Sequence, residues 1–255
     1  MEKSLKSQKR KKVWENIKRN KMVYVFLLPA VLLVFLFNYV PLPGLIIAFL
    51  DYDPFLGFKS DWVGFANIKE LFQIPEFTKS IGNTVWLSTL GLLIQFPLPI
   101  IFALMLNELK NVPFKKFTQT VSYLPHFLSA IAVVGIVITL ASNYGIINDI
   151  YVKMGGERTL WLTKQELFVP IVITLGVWQG LGWSSIIYLA SIPGIATTAI
   201  MLFILSIGSL FQSNFDLIYG LQNAFINFEV ISTTIYKKGI TQGNYSMSTA
   251  LGFVQ

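Results

Sequence analysis

Four stretches of this chain carry no Asp, Glu, Lys or Arg: residues 22–50, 80–107, 117–148 and 167–215. A helix needs about 20 apolar residues to cross a bilayer, so each stretch suffices for one crossing and the last for two. A charge centred in such a helix costs about 2.5–3.5 kcal/mol on insertion scales, which gives uncharged runs of this length a physical cause. The pattern predicts an all-α, polytopic transmembrane helical bundle of five full spans and the start of a sixth. Span one covers 22–40 and continues through 42–50 beyond the break at Pro41, Pro43 and Gly44. Span two covers 80–106, interrupted by Pro97 and Pro99; span three covers 120–141; span four covers 167–192. Span four meets Pro193 and Gly194 at once, a pair that stops one helix and begins another, so spans four and five form a tight hairpin. The fifth runs through 199–211, and 246–255 opens a sixth.

The polar intervals set the expected topology. Nine Lys and Arg and two Asp or Glu lie within residues 1–21, which accounts for the whole net charge of +7. A basic tail beside a neutral body points to retention on the cytoplasmic side rather than to nucleic acid. Residues 51–79 are net acidic and suit the outside face; residues 107–119 are net basic and suit the inside. Within the first, Ile68, Leu71 and Phe72 make a short amphipathic pattern expected to lie on the membrane interface. Residues 143–166, with the Gly155–Gly156 turn signal, and residues 222–245 read as outer polar segments. The first apolar run is too long for a signal-peptide core and has no small-residue exit, so it reads as an uncleaved span. The tail at 1–21 and a membrane body at 22–255 are the expected divisions. A mean hydropathy of +0.61 and the absence of cysteine fit a membrane protein without disulfides or thiolate sites.

Little chemistry is available inside the spans. Ion-driven transporters place ionisable groups there, whereas this chain offers only His126 and, near the outer end of span five, Asp216. His126 reads as an interfacial or interhelical side chain. No catalytic nucleophile–base pair or metal cluster appears, and no Gly-x-x-x-x-Gly-Lys-Ser/Thr loop cradles a nucleotide, so any ATP is expected on partner subunits. What remains is uncharged: Asn83, Gln95, Trp178, Gln179, Trp183, Gln212, Asn214 and Tyr219. Such a set suits a neutral, hydroxyl-rich solute, although amides also bridge membrane helices and tryptophans gather at interfaces. Asn83, Trp178, Gln179, Asn214 and Asp216 are the candidates for a pathway lining. Gly180 and Gly182, between Trp178 and Trp183, equally permit close helix packing.

Several short runs carry a resemblance. Leu27 to Pro29, Tyr39 to Pro41, Ile47 to Tyr52 and Trp62 to Gly64 come first, then Ala103 to Glu108 and Thr120 to Phe127. Gly182 to Ala190, Pro193 to Ile195, Thr234 to Ile240 and Gln242–Gly243 follow in order. Together they resemble the membrane permease of carbohydrate-uptake ABC transporters, in the oligosaccharide and polysaccharide branch, over nearly the whole chain. The resemblance implies six core spans in a bacterial cell membrane, a second homologous permease, a pair of cytoplasmic ATPases and an external solute-binding lipoprotein. It also implies alternating access around a midplane cavity. Members of the family carry a Glu-Ala-Ala coupling loop between spans four and five, which is missing here between Ile192 and Pro193, as is most of span six. No residue of this chain is expected to inherit the coupling role. The first expectation is therefore a sugar-importer permease without catalysis of its own. The rival is a non-transporting remnant or assembly scaffold, and a membrane enzyme comes a distant third.

Overall fold

A computed structural model describes Asn16 and residues 18–255, so most of the basic tail expected at 1–21 lies outside the described residues. The first apolar run folds as α1 (Lys21–Val34), a wider turn at Phe35–Tyr39 and a tighter 3-10 helix at Leu42–Phe49. The change of pitch falls where Pro41 and Pro43 remove backbone donors. A short antiparallel ribbon follows, β1 (Leu50–Asp51) against β2 (Asp61–Trp62), with Leu50 opposite Trp62. Its connection turns at Gly57, whose φ of +58° suits a residue without a Cβ.

Next come α2 (Ala66–Leu71), α3 (Pro75–Gln95) and α4 (Pro97–Glu108). Pro75 and Pro97 each sit in a helix's first turn, where a missing N–H costs nothing. Then follow α5 (Val112–Tyr123), α6 (Ala130–Leu140), α7 (Ile146–Lys153), α8 (Gln165–Ala190) and α9 (Ile195–Ile207). The chain closes with α10 (Phe215–Leu221), α11 (Ile231–Tyr236) and α12 (Tyr245–Val254). The all-α reading holds, with the two-residue strands as its small exception.

Three helical stretches among the described residues are long and apolar enough to cross a membrane: Lys21–Phe49, Pro75–Glu108 and Gln165–Ala190. They answer to the expected spans one, two and four. Span three differs. It was expected as one helix over 120–141, but Val112–Phe127 and Ala130–Leu140 meet at 102°. Pro125 removes a donor, Leu128 is extended with ψ 135°, and the Ser129 hydroxyl accepts from Ala132 N at 3.2 Å, which starts a new helix. Span five, expected through 199–211 as a full crossing, starts and ends earlier. The apolar helix over Ile192–Ile207 is below crossing length, and the chain leaves helix before Gln212. The connection before it is a short turn, in which Gly194 N donates to Ser191 O at 2.8 Å.

Two apolar cores hold the bundle. The larger joins Leu87 of α3, Val133 and Val134 of α6, Phe168 and Val172 of α8, and Leu217 and Ile218 of α10. Ile226, Phe228 and Val230 also belong to it, so part of the stretch at 222–245, polar by its sequence, packs into the body. The reason is visible in hydrogen bonding. Thr84 of α3, fully buried, accepts from Ile231 N at 2.9 Å and so caps α11 from a neighbouring helix. The second core packs Ala48, Leu71 and Phe77 against Met247, Ala250 and Leu251 of α12. Leu71 is 1% exposed and Ile68 packs beside it, so α2 docks on this core; the sequence pattern had placed it on the membrane interface. By contrast, α1 has no buried residue.

The stretch between α6 and α8 is organised by one amide. Asn148, completely buried, donates to Ser142 O and Thr159 O at 2.9 Å each. Its oxygen accepts from Thr159 N at 2.9 Å and Trp161 Nε1 at 3.1 Å. Arg158 pairs with Asp149 at 2.8 Å and lies over the Tyr144 ring. Gly155, with φ +92°, supplies the turn that its sequence signal announced.

Candidate functional site

A cleft of about 690 Å³ opens between α3, α8, α9 and the non-helical stretch that follows α9. Pockets of 300–1,000 Å³ are typical of small-molecule sites. Its floor is apolar, from Leu87, Val172 and Ile173 of the larger core. Its polar lining is uncharged: serines, Gln95, Gln212 and Asn214. Several of the serines are anchored by the backbone. Ser206 donates to Leu202 O at 2.8 Å, and Ser209 donates to Ser206 O at 2.8 Å, as hydroxyls do on apolar helices. The two glutamine amides are different. Among the described residues, neither Gln95 nor Gln212 has a side-chain hydrogen-bond partner, so both can bond to a solute.

Space for Gln95 comes from Gly176 on α8. A Cβ there would lie 2.5 Å from Gln95 Nε2. One further turn and a half along α8, Gly182 lets α5 approach: a Cβ would meet Ser122 O at 2.1 Å. Gly180, between them, faces open space. The close approach brings the bend at 124–129 against α8. The His126 ring stacks on Trp183 with centroids 4.5 Å apart and planes within 4°, and Phe127 meets the same indole edge-on at 5.6 Å. Trp183 also lines the cleft. His126 is thus an interhelical side chain, held by ring stacking.

The five candidate residues are dispersed. Asn214 lines the cleft, and its side chain also caps α10 by accepting from Leu217 N at 3.1 Å. Asp216 lies exposed in the first turn of α10, where a negative charge suits the helix N-terminus. Asn83 donates to Glu229 O at 2.8 Å, binding α3 to the segment before α11. Gln179 donates to Leu128 O at 3.4 Å and ties α8 to the bend. Trp178 is partly exposed and is not part of the cleft wall. Gln95, Gln212 and Trp183, by contrast, stand in the cleft. They had appeared among the uncharged polar and aromatic groups of the sequence without being ranked above the rest. Gly176, which opens room for Gln95, is the signal that would have raised one of them.

No protein-family profile matches the chain. Individual relatives do. The polygalacturonan/rhamnogalacturonan transport system permease protein YteP of Bacillus subtilis (strain 168) is 38% identical over 278 residues, covering 97% of this chain and 87% of that protein. This chain is a carbohydrate ABC-transporter permease. Protein LplB of the same organism is 36% identical over 267 residues, covering 92% of the permease and 84% of its relative. Among solved structures, a bacterial ABC transporter for import of the acidic polysaccharide alginate contains a chain that superposes with a TM-score of 0.85 at 33% identity. That match covers 95% of the permease and 92% of the other chain. A second structure shows the alginate transporter in complex with an alginate pentasaccharide-bound periplasmic protein, with a TM-score of 0.84. The permease is therefore a bacterial-type membrane transport subunit, and the all-α bundle is the family's fold.

Proposed function

We propose that the permease forms one half of the translocation pathway of an ATP-driven importer for an oligosaccharide, with several membrane crossings and a cytoplasmic N-terminus. The observation that carries this reading is a sugar-sized, uncharged cleft inside a fold shared along nearly the whole chain with polysaccharide-transport permeases. The reading includes a second permease, a pair of cytoplasmic ATPases that bind the ATP, and an external binding protein. Support for the last is the alginate transporter's complex with its periplasmic protein. Gln95, Gln212 and Asn214 contact the solute in this reading. Asn83 and Gln179 hold the helices that present them, while Trp178 and Asp216 border the path outside the cleft wall.

We further propose that this permease lacks a cytoplasmic coupling loop between α8 and α9, so that in the importer the contact with the ATPases rests on the second permease. The alignment with YteP, at 278 residues, is longer than this 255-residue chain, so the relative carries residues without a counterpart here. This reading puts those residues at the three-residue turn Ile192–Gly194, which joins α8 directly to α9. The test of the main reading is uptake of labelled oligosaccharides by cells carrying the complete importer, with Gln95→Ala and Gln212→Ala as variants. Uptake should fall at unchanged membrane levels of the protein; undiminished uptake in both variants rejects the cleft as the pathway.

A further inference from the structure

The solved structural neighbour imports the acidic polysaccharide alginate, and YteP is named for polygalacturonan and rhamnogalacturonan, yet the cleft here holds nothing that pairs with a carboxylate. Among its lining residues there is no Lys, Arg or His. Its polar groups are hydroxyls and amides, of which Gln95 and Gln212 are unpartnered among the described residues, while Ser206 and Ser209 donate their hydrogens to backbone carbonyls. Two helices begin at the cleft: α4, whose start follows directly on α3 through Phe96 and whose first residue, Pro97, has no N–H to offer, and α10, a place where an anion would otherwise be favoured. The α10 start is already capped by the Asn214 side chain and carries Asp216 in its first turn. Asp216 adds a negative charge beside that edge, and His126, which stacks on the Trp183 ring, is not among the lining residues.

We infer that the permease passes a neutral oligosaccharide and excludes uronic-acid oligomers such as those named for its relatives. The inference rests on the importer reading given above and adds the substrate class to it. An ionised carboxylate entering a low-dielectric cleft without a cation or a convergent set of donors is penalised by desolvation. Carboxylate recognition ordinarily uses Arg, Lys or free backbone N–H groups. A pyranose ring makes no such demand. Its hydroxyls exchange hydrogen bonds with the free amides of Gln95 and Gln212, and its apolar C–H face suits an indole. Trp183 offers that indole with its orientation fixed, because His126 stacks parallel to it and Phe127 packs on it edge-on.

The experiment compares matched oligosaccharide pools in cells carrying the complete importer against cells lacking only this permease. Polygalacturonan and alginate oligomers are supplied as free acids and again after chemical reduction of their carboxyl groups, beside oligomers of xylan, galactan and mannan. Intracellular sugars are read by mass spectrometry. Permease-dependent uptake should be at least tenfold greater for the uncharged members, with the acids at background. Uptake of acids equal to or above that of neutral oligomers overturns the inference while leaving the importer reading intact. Permease-dependent uptake of no sugar in any pool overturns the importer reading itself. A charge placed in the cleft supplies the second arm. Gln212→Lys or Ser209→Lys, at membrane levels matched to the parent, should admit the free acids at several times background; two such variants that still exclude them would show that the cleft does not read charge, contrary to the inference.

Discussion

Two glycines two residues apart on α8 should respond oppositely to the same change. At Gly182 a Cβ would sit 2.1 Å from Ser122 O and 2.4 Å from its carbonyl carbon, both backbone atoms of α5 that cannot swing aside. Restoring ordinary contact requires the two helices to part by about 1 Å, and overpacking of this kind costs about 1–3 kcal/mol. At Gly180 a Cβ meets nothing within 4 Å. There alanine brings only its better helix propensity, worth about 1 kcal/mol or less in favour of folding. Gly182→Ala should therefore lower the apparent Tm of the purified permease and Gly180→Ala should leave it unchanged or raise it. For a chain of this size about 1 kcal/mol corresponds to roughly 2–4 °C. Thermal unfolding in detergent, followed by size-exclusion fluorescence, separates the two. If Gly182→Ala is as stable as Gly180→Ala, the α5–α8 approach is not held by that glycine, and the positioning of Trp183 by His126 loses its support.

Other outcomes follow from single contacts. Asn148→Ala leaves four backbone and indole groups without their amide partner, each worth about 1–3 kcal/mol if it stays dry, so limited proteolysis should cut within 142–163 well before the rest of the chain. Equal cutting rates in parent and variant would refute the hub. Thr84→Val keeps the shape of the side chain but strands Ile231 N–H, and should cost about 1–3 kcal/mol; Thr84→Ser, which retains the hydroxyl, should recover most of the loss in the same thermal assay. Inserting the corresponding segment of YteP between Ile192 and Pro193 should raise the amount of ATPase that co-purifies with the permease, whereas equal recovery with and without it would show that coupling does not pass through this turn.

The sequence was most legible where charge was excluded over long distances. Spans one, two and four follow directly from uncharged runs, because a single buried charge is costly enough to keep such runs clean. The bend in span three was less legible, since an apolar run reports residence in the membrane and not the direction of the chain. Ser129 could have revealed it, as an N-cap residue in the middle of an apolar stretch. The segment at 222–245 reads as polar, yet Phe228, Val230 and Ile231 within it are buried, and Thr84, far away in sequence, satisfies the Ile231 N–H that comes with them. No local pattern announces a cap delivered from another helix. The cleft shows the same division. Its uncharged chemistry could be read residue by residue, but which amides remain free depends on tertiary placement: Asn83 and Gln179 are spent on backbone carbonyls, while Gln95 is not.

The solitary state of α1 has a mechanical corollary. Among the described residues this rod adds no buried side chain to the body, and it continues through Phe35–Tyr39 into the tighter stretch at Leu42–Phe49, whose Ala48 is packed in the second core. Trimming this rod should thus leave the remainder's own unfolding temperature where it was.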